Sequence, residues 1–566
     1  MAKGIMYVDN IRVEYDEEPN VLEVCRKAGV EMPNFCFHSD LSVYGACRMC
    51  MVEEEGSGKI DAACTMQPRN GLRIRTNTSR LLKYRRMIIE LLLSAHCRDC
   101  TTCEKNRACR LQEMAVRFGI HHVRFEDTRQ HVPMDLSSPA VTFDLNKCIL
   151  CGDCVRVCKE VQGVKNLHFA GRGPNLHIAT TDGLPMDQTH CVSCGQCSAV
   201  CTTGAITVKN QIGEAWKALQ DPQKRVVIQI APAVRVAIGE AYGLPAGENV
   251  LDKLVTALKI MGADEVYDTI FGADLTVREE SQEFLRRLET GKDLPLMTSC
   301  CPAWVKYVEN ERPSFLKNLS TARSPMQMFA SVLKENYRAK DADDGRSTFH
   351  IAIMPCTAKK MEARREEFRD RFGVPYVDLV LTTQEVVQMM KESGIRFQLL
   401  EKESPDLPYG MGSGAAEIFG TTGGVAEAVV RCCLNDKSKN ALRMLEHSGL
   451  RGSDPIRFAT IDIGGRDVHI AVVHGLGNAA KLLDQIENGE VQVDLVEVMS
   501  CRTGCVGGAG QPYALMNKKL QRAQGLYEID RSAMFKRSER NPVVNAMYDA
   551  GLAEHAHELL HHTYKQ

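Results

Sequence analysis

The 566-residue sequence lacks the marks of a nucleic-acid-binding, secreted or membrane protein. Its formal net charge is −2 and it has no long basic run, which argues against a nucleic acid or another polyanion as partner. The first residues contain no apolar stretch of signal-peptide length, and no window resembles a membrane span. Apolar and charged fractions are ordinary for globular proteins. We therefore expect a soluble, cytoplasmic protein of several domains.

What the sequence has in abundance is cysteine. Seventeen of the 24 cysteines lie before residue 202, and seven are scattered through the larger remainder. In a long chain with repeated Cys-x2-Cys spacing, such a set indicates metal binding rather than disulfides. The asymmetry divides the chain into an iron–sulfur front and a catalytic back.

Residues 1–80 form the first predicted domain. Alternating Ile11, Val13 and Tyr15 predict a strand, and residues 20–28 predict a short helix that buries Cys25. Four cysteines then follow with the spacing C-x10-C-x2-C-x13-C, which suits a 2Fe–2S cluster; structural zinc is the alternative. These predicted ligands are Cys36, Cys47, Cys50 and Cys64.

Residues 81–126 form the second predicted domain, a leucine-rich helix over 81–95 followed by another cysteine group. Two ligand sets are compatible with a 4Fe–4S cluster here. One consists of Cys97, Cys100, Cys103 and Cys109, and the other replaces Cys97 by His96. A neutral imidazole in place of a thiolate lowers the negative charge and raises the reduction potential.

Residues 127–209 contain the spacing C-x2-C-x2-C-x3-C twice, which is the arrangement of bacterial two-cluster ferredoxins. Neither copy is followed by the usual proline, because Lys159 and Thr202 stand there. The fourth cysteine of each copy ligates the other cluster. The predicted sets are therefore Cys148, Cys151, Cys154 with Cys201, and Cys191, Cys194, Cys197 with Cys158.

After residue 209, helical stretches alternate with short β-branched runs at 226–231, 350–354 and 494–499. This alternation predicts an α/β domain with mostly parallel sheets, whose ligands gather at the carboxyl ends of the strands. Cys356 follows the second of these runs and Cys501 follows the third. Cys300 and Cys301 follow the segment 294–297. Cys301, Cys356, Cys501 and Cys505 are four thiolates from three separated segments, which suits a cubane cluster inside the domain.

Cys300 stands directly beside Cys301. Neighbouring side chains diverge, so both do not easily ligate one small cluster. One of them is expected to bind metal while the other stays a free thiol. Two buried core cysteines are the alternative, since cysteine packs as a small hydrophobe.

Several segments resemble the FeFe-hydrogenases. They are TSCCPAW at 298–304, MPCTAKKME at 354–362, MSCRTGCVGGAGQP at 499–512, DTIFGADLT at 268–276, IFGTTGGVAEA at 418–428, and the stretch from Arg531 through Asn541-Pro542 to His561, His562 and Tyr564. The front is similar to the large iron–sulfur subunit of respiratory Complex I and to clostridial hydrogenases. That resemblance has the pattern H-x3-C-x2-C-x5-C and favours His96 as ligand. Together, the resemblances of the front and of the later segments cover nearly the whole chain, in the arrangement of the large single-chain clostridial enzymes.

The resemblance implies a catalytic H-cluster. Cys301, Cys356, Cys501 and Cys505 would hold its 4Fe–4S part, and Cys505 would bridge to a diiron unit bearing CO, cyanide and azadithiolate. Cys300 would exchange protons with the bridge amine. The route outward would run through Glu280, Ser320 and Glu283, with Arg287 at the surface. Glu280 and Glu283 are three apart on a predicted helix and share a face; a solvated helix edge is the alternative for that pair.

The resemblance also assigns the walls of the site. Lys359 would donate a charge-assisted hydrogen bond to cyanide, Met354 and Met499 would pack on the diiron unit, and Ala231, Pro232, Pro325 and Phe419 would line a dry pocket. Departures from the common pattern are Ala303, Arg502-Thr503 and Ala509, with Ala233 and Met326 where serine and glutamine are often found. We expect the last two to alter catalytic bias or sensitivity to CO and oxygen.

The predicted fold is multidomain, α+β and α/β. It comprises a β-grasp 2Fe–2S domain (1–80), a small helical His/Cys3 4Fe–4S domain (81–126), a two-cluster ferredoxin domain (127–209), an α/β H-cluster catalytic domain of two lobes with mostly parallel sheets (210–512), and a C-terminal helical segment resembling a small subunit that wraps the catalytic domain (513–566).

The predicted function is reversible reduction of protons to H2 with electrons from ferredoxin or a similar redox protein, after maturation proteins supply the diiron unit. The predicted cofactors are one 2Fe–2S cluster, three accessory 4Fe–4S clusters and the H-cluster. A non-catalytic hydrogen sensor or iron–sulfur assembly factor is the alternative. An NADH-oxidising subunit fits only residues 1–120, because no glycine-rich dinucleotide fingerprint occurs in strand–turn–helix context. An electron-bifurcating role alongside other subunits stays open.

Overall fold

The computed structural model describes residues 3–126 and 131–564. The start of the third predicted domain, at 127, lies outside the described residues. The chain divides into two compact units. The first contains the chain up to Val161, Lys165–Thr189 and Cys197–Thr207; the second contains Gln162–Val164, His190–Gln196 and the chain from Val208 onward.

The first unit begins with a five-stranded sheet in the order β2-β1-β5-β3-β4. Its strands are β1 (Gly4–Val8), β2 (Ile11–Tyr15), β3 (Met51–Glu54), β4 (Ile60–Ala62) and β5 (Arg73–Arg75), and α1 (Val21–Lys27) packs on it. The Asn20 side chain begins α1 by accepting a hydrogen bond from the Glu23 backbone N–H at 3.1 Å. Cys25 is fully buried on this helix, as predicted.

The rest of the first unit has little regular structure apart from short elements. The leucine-rich run forms α2 (Ser79–Ser94), close to its predicted bounds, and packs against α3 (Arg110–Arg117). Small elements then surround the ferredoxin-like cysteines: β6 (Val141–Phe143), α4 (Asp153–Arg156), β7 (Leu167–Ala170), β8 (His177–Thr180), α5 (Gln196–Val200) and β9 (Ile206–Val208). A chain that wraps metal clusters has little need of long elements, since the ligands themselves fix its loops.

The second unit contains two four-stranded sheets. The first, in the order β11-β10-β13-β14, is entirely parallel, with β10 (Lys224–Ile230), β11 (Glu265–Asp268), β13 (Ser347–Met354) and β14 (Leu379–Thr382). The second, in the order β12-β17-β16-β15, has β12 (Leu296–Met297), β15 (Ile456–Ile463), β16 (Arg466–His474) and β17 (Leu495–Met499). The predicted mixed α/β fold with mostly parallel sheets is confirmed.

One pair in the second sheet is antiparallel. Strands β15 and β16 form a hairpin whose two-residue turn is Gly464-Gly465. Both glycines have positive φ, 67° and 84°, which is the conformation that a tight hairpin turn requires. This hairpin forms the edge of the sheet, and the strands that lead to the predicted cluster ligands remain parallel.

Helices cover both sheets. They are α6 (Ile212–Leu219), α7 (Pro232–Arg235), α8 (Leu251–Ile260), α9 (Ile270–Thr290), α10 (Pro302–Glu311), α11 (Pro325–Asp344), α12 (Ala358–Glu362), α13 (Thr383–Glu392), α14 (Gly414–Glu417), α15 (Gly424–Cys433), α16 (Lys439–Glu446), α17 (Leu476–Glu487), α18 (Met516–Ser532), α19 (Pro542–Met547) and α20 (Ala553–Leu560). In the described chain, no helix is long and apolar enough to cross a membrane.

Candidate active site

The cysteines of the catalytic half lie where the parallel strands end. Cys356 follows β13, Cys501 follows β17, and Cys301 is the residue before α10, which follows β12. Cys505 comes one residue after Gly504, whose φ is 88°. A Cβ at Gly504 would lie 2.6 Å from the Thr422 backbone nitrogen, so the loop reaches the site only with glycine there. Three separated segments thus bring four thiols together.

These thiols line one cavity of about 90 Å³. A single water needs about 10–15 Å³ on this measure, so the space holds a group much larger than water. Every residue predicted to contact the diiron unit or the pocket lies on its wall: Ala231, Pro232, Ala233, Cys300, Pro325, Met326, Met354, Lys359, Phe419 and Met499. Ala303 lines it as well. The wall is mainly apolar.

The donor set fits an iron–sulfur group. Burial raises the pKa of the Cys356 thiol to about 11 and raises that of Cys301, Cys501 and Cys505 as well. Neighbouring thiols add to the effect at Cys356, Cys501 and Cys505. Four such thiols become thiolates together only when bound positive charge compensates them, as iron does.

Lys359 brings positive charge to the same wall. Its Nζ donates to Glu362 Oε2 at 2.7 Å, and the side chain is 10% exposed. Burial opposes the charged form, but Glu362 and the nearby thiols outweigh burial and raise the pKa of Lys359. The lysine therefore stays protonated and can donate a charge-assisted hydrogen bond to an anionic ligand.

Cys300 lies on the cavity wall beside the four thiols. Burial raises the pKa of its thiol well above the ordinary value, and the charges of Glu280 and Cys301 act in the same direction. Without metal, this side chain is a neutral thiol at physiological pH. It is suited to hold a proton at the cavity.

Two glutamates of α9 lie in the protein interior rather than on a solvated edge. Glu280 is 1% and Glu283 4% exposed, so the solvated-edge alternative is wrong. Burial raises the pKa of Glu280 to about 8; the Glu283 charge adds to this, and a hydrogen bond from Ser320 opposes it. Ser320 Oγ also lies 3.0 Å from Glu283 Oε2, to which it donates. The serine thus connects the two carboxyl groups.

The predicted surface position of Arg287 is wrong. The residue is only 7% exposed, because its guanidinium is enclosed by the loops that follow α9. Nη1 donates to the carbonyls of Asp293, Lys317 and Asn318. Nη2 donates to Leu319 O at 3.0 Å and to Glu283 Oε1 at 2.6 Å. Arg287 fixes this corner of the structure.

The sequence did not place three further groups near this site. Cys194, predicted as a ferredoxin ligand, also lines the cavity. The Gln196 amide Nε2 lies 3.2 Å from Cys501 Sγ. His561 contacts Thr321 at 2.9 Å and Glu279 at 2.8 Å. These contacts join residues that are hundreds of positions apart, and only the resemblance of the C-terminal segment pointed to His561.

The front cysteines also gather in groups. Cys36 and Cys47 form one hydrogen-bonded thiol pair, and Cys50 and Cys64 form another. In the first pair, the shared proton lowers the pKa of Cys47 to about 6 and raises the pKa of Cys36. One cavity is lined by His96 together with Cys97, Cys100, Cys103 and Cys109, so both predicted ligand sets lie on its wall.

In the first predicted ferredoxin-like set, cysteines of both copies lie together. Cys148, Cys151 and Cys154 line a cavity together with Cys201, the fourth cysteine of the other copy. In the second predicted set, Cys158 and Cys197 belong to the first unit, whereas Cys191 and Cys194 belong to the second.

Family models match the chain in five places. "Iron only hydrogenase large subunit, C-terminal domain" matches 224–509, and "Iron hydrogenase small subunit" matches 516–566. A 2Fe-2S iron-sulfur cluster binding domain matches 5–79, the NADH-ubiquinone oxidoreductase-G iron-sulfur binding region matches 85–124, and a 4Fe-4S dicluster domain matches 147–205.

Individual proteins agree with these models. The chain is 38% identical to the NADP-reducing hydrogenase subunit HndD of Solidesulfovibrio fructosivorans, over 100% of this chain and 99% of the relative. It is 33% identical to iron hydrogenase 1 of Clostridium pasteurianum, over 99% of each. A solved variant of [FeFe]-hydrogenase HydA1 from Chlamydomonas reinhardtii is 34% identical with a TM-score of 0.53, covering 62% of this chain and 98% of that one. The chain belongs to the FeFe-hydrogenase, or iron-only hydrogenase, family.

Proposed function

We propose that the chain catalyses the reversible reaction 2 H⁺ + 2 e⁻ ⇌ H2. One observation carries this proposal. Four buried thiols converge on an apolar cavity whose wall holds a fifth thiol, Cys300, and an interior chain of Glu280, Ser320 and Glu283 lies behind it. An electron-transfer protein needs the cluster ligands but has no use for a thiol and carboxyl groups that hold protons in the interior.

The cavity residues fit an H-cluster. Cys301, Cys356, Cys501 and Cys505 would hold the 4Fe–4S part, with Cys505 shared with the diiron unit. When bound, the diiron unit supplies an open iron site and an amine base for making and splitting H2. Met354 and Met499 keep water from the cavity, and Lys359 offers an N–H donor to a cyanide ligand.

Protons reach the cavity through this chain's own side chains. Cys300 holds a proton on its sulfur at the cavity wall. Glu280, neutral below its raised pKa, exchanges a proton with the Cys300 side of the site, and Ser320 Oγ passes it to Glu283 Oε2. Each group is buried, so protons are not lost to bulk water along the way.

Electrons pass through the front of the chain. We propose one 2Fe–2S cluster in a β-grasp domain (1–80), a His/Cys3 4Fe–4S cluster in a small helical domain (81–126), and two 4Fe–4S clusters in a ferredoxin domain (127–209). The catalytic domain of two lobes follows (210–512), and residues 513–566 wrap it. The matched family models and the cysteine groups support this assignment.

Ferredoxin is the proposed electron partner, and the cytoplasm the proposed location. A relative over the whole chain is named as a subunit of an NADP-reducing hydrogenase, so a partner subunit that handles NADP is the second candidate. Maturation proteins would supply the diiron unit. Reduction of the purified chain by ferredoxin, compared with NADPH plus candidate subunits, distinguishes the two electron sources.

An assembly factor is the alternative function. Cytosolic iron-sulfur assembly component 3 of Bos taurus is 29% identical over 73% of this chain. Scaffolding a cluster requires its ligands alone, whereas here Cys300 and Lys359 also line the cavity and Glu280 is buried in the interior. These groups favour catalysis.

Infrared spectroscopy tests the proposal. The full chain, matured with a diiron unit, is expected to show CO and cyanide stretching bands and to evolve H2 with a reduced electron donor. Cys300→Ala should retain the bands and lose at least about 100-fold in turnover, because a proton relay contributes about 10²- to 10⁴-fold. A matured wild-type chain without these bands and without H2 evolution would contradict the hydrogenase function.

A further inference from the structure

The proton route needs an exit beyond Glu283, and Arg287 does not provide one. A guanidinium has donors but no acceptor, and it does not give up its proton in proteins. Arg287 is also enclosed, with Nη1 and Nη2 directed at four backbone carbonyls and at Glu283. A proton that arrives at Glu283 must leave by another neighbour.

The other neighbour of Glu283 is Thr321. Glu283 Oε2 accepts from the Thr321 backbone N–H at 2.9 Å and from Thr321 Oγ1 at 3.1 Å. Thr321 Oγ1 is at the same time 2.9 Å from His561 Nδ1. Because a hydroxyl donates and accepts, it can receive a proton on one side while it releases its own on the other. The Ser320 hydroxyl does the same between Glu280 and Glu283.

His561 continues the connection toward solvent. Its Nε2 is 2.8 Å from Glu279 Oε2, and its side chain is 16% exposed. Histidine is the side chain that takes up and releases protons most readily near neutral pH. Although burial raises the pKa of Glu279, hydrogen bonds from His561 and Tyr548 outweigh it and lower that pKa overall. The carboxylate therefore stays charged and orients the ring.

Other charged groups near His561 leave this path open. Arg323 Nε donates to the His561 backbone carbonyl rather than to its ring, and the His557 ring stacks on that of His561 at 6.1 Å. Arg278 lies over the Tyr548 ring, 3.6 Å from its centroid. These contacts leave both ring nitrogens of His561 directed at Thr321 and Glu279.

The backbone holds His561 at this position. Residue His561 forms a β-bridge with Ala322, the His562 N–H donates to Thr321 O at 2.7 Å, and the Arg323 N–H donates to Leu560 O at 2.8 Å. These two backbone hydrogen bonds make up the bridge, and they fasten the C-terminal segment beside the predicted proton route. The His561 ring is placed by the fold rather than by a flexible tail.

We infer that Thr321 and His561 form the exit of the proton route, so that the C-terminal segment contributes a proton-exchanging residue to the hydrogenase site. The inference rests on the proposed function. In the direction of H2 formation, a proton from water binds His561, the ring releases one to Thr321 Oγ1, and the hydroxyl proton passes to Glu283. No bond between heavy atoms changes, and the charge is balanced by the proton consumed at the cavity.

The first test measures proton exchange at Glu280 by infrared spectroscopy, without turnover. The full chain with its iron–sulfur clusters is mixed into D2O, and the shift of the Glu280 carboxylic C=O band, assigned by its loss in Glu280→Gln, is followed in time. His561→Ala and Thr321→Val should each slow this shift by at least about 10-fold, as expected for a lost relay. His555→Phe, which replaces an exposed histidine of α20, the helix that ends just before His561, should leave the rate of this shift unchanged.

The second test measures turnover with added imidazole. His561→Ala should lower H2 evolution by at least about 10-fold, and imidazole should restore a fraction of it, because a free ring can occupy the vacated place. A purely structural loss would not respond to imidazole. Wild-type exchange and turnover in both His561→Ala and Thr321→Val would overturn the inference. A wild-type chain without H2 activity would contradict the proposed function. The rate of proton exchange at Glu280 would still show whether Thr321 and His561 form the exit of the proton route.

Discussion

Ser320 is the connection between the two interior glutamates, and Ser320→Ala tests that role with little change in charge or volume. The residue is fully buried, and its hydroxyl donates to Glu283 at 3.0 Å and accepts from the Ala322 N–H at 3.2 Å. Without the hydroxyl, the proton has no acceptor between Glu280 and Glu283. We expect kcat for H2 evolution to fall by about 10²- to 10⁴-fold. At 1.36 kcal/mol per decade, this corresponds to about 2.7–5.4 kcal/mol of added barrier.

The variant will also be somewhat less stable. Glu283 keeps the Thr321 donors and Arg287, so it loses one hydrogen bond to a charged acceptor, about 1.5–3 kcal/mol, and the Ala322 N–H loses its acceptor as well. Ser413→Ala is a matched control. Ser413 is fully buried, donates to the Asp274 carboxylate at 2.5 Å and accepts from the Ala416 N–H at 3.2 Å. It should cost similar stability and leave kcat nearly unchanged.

The assay measures H2 evolution from saturating reduced methyl viologen in H2O and in D2O, with thermal unfolding as the stability readout. Proton transfer should become rate-limiting in Ser320→Ala, so its solvent isotope effect should exceed that of the wild type. The reasoning is refuted if Ser320→Ala keeps more than about a tenth of wild-type turnover, or if Ser413→Ala loses as much.

Three further predictions concern groups around this route and the front clusters. Because burial raises the pKa of Glu280 to about 8 from an ordinary value of 4.5, the stability that its neutral form provides is present below about pH 4.5 and is lost as pH rises through 8. Glu280→Gln should therefore flatten the fall of the apparent Tm between pH 6 and 9, and parallel profiles would contradict the burial argument. The double variant Ala233→Ser with Met326→Gln adds polar groups to the cavity wall. It should shift the CO and cyanide bands and the ratio of H2 oxidation to H2 evolution. Unchanged bands and an unchanged ratio would contradict a role of these two residues in catalytic bias. His96→Ala should alter one EPR signal that Cys97→Ala leaves intact, and the opposite pattern would assign Cys97 as the ligand.

The sequence predicted those regions of this structure that local chemistry determines. Cysteine spacing predicted the groups around Cys148 and around Cys100, because ligands of one cluster must lie within a few residues or return by one chain reversal. The strand-like runs predicted that Cys356 and Cys501 would each follow the carboxyl end of a strand, where ligands gather. The two strands belong to different sheets, and the pattern did not predict that both thiols would line one cavity. The wall residues Ala233 and Met326 were found only through family resemblance, because an alanine and a methionine have no periodicity of their own.

Arg287 shows where such inference fails. Its place at the end of a long helix suggests exposure to solvent, but residues at both ends of the segment 293–319 direct carbonyl oxygens at its guanidinium. Nothing in the local pattern encodes that return. The same applies to His561, whose contact with Thr321 joins residues 240 positions apart. Contacts of that kind depend on the whole fold, and they decide how a proton leaves the site.

The cavity itself explains why the chain uses two kinds of thiol. Burial raises the pKa of Cys300, Cys301, Cys356, Cys501 and Cys505, so none of these thiols ionises readily by itself. In the proposed function, iron would hold four of them as thiolates, and the fifth, Cys300, would keep its proton. Its neighbour Glu280 is also neutral below about pH 8. Once Cys300 has given its proton to the cavity, neutral Glu280 can replace that proton, so a single negative charge moves between the two residues and no pair of opposite charges is separated in the apolar interior, which would cost several kcal/mol. Because the wall is apolar, the four ligand thiols need bound metal to become thiolates. For the same reason, the free thiol holds its proton and can act as a proton carrier.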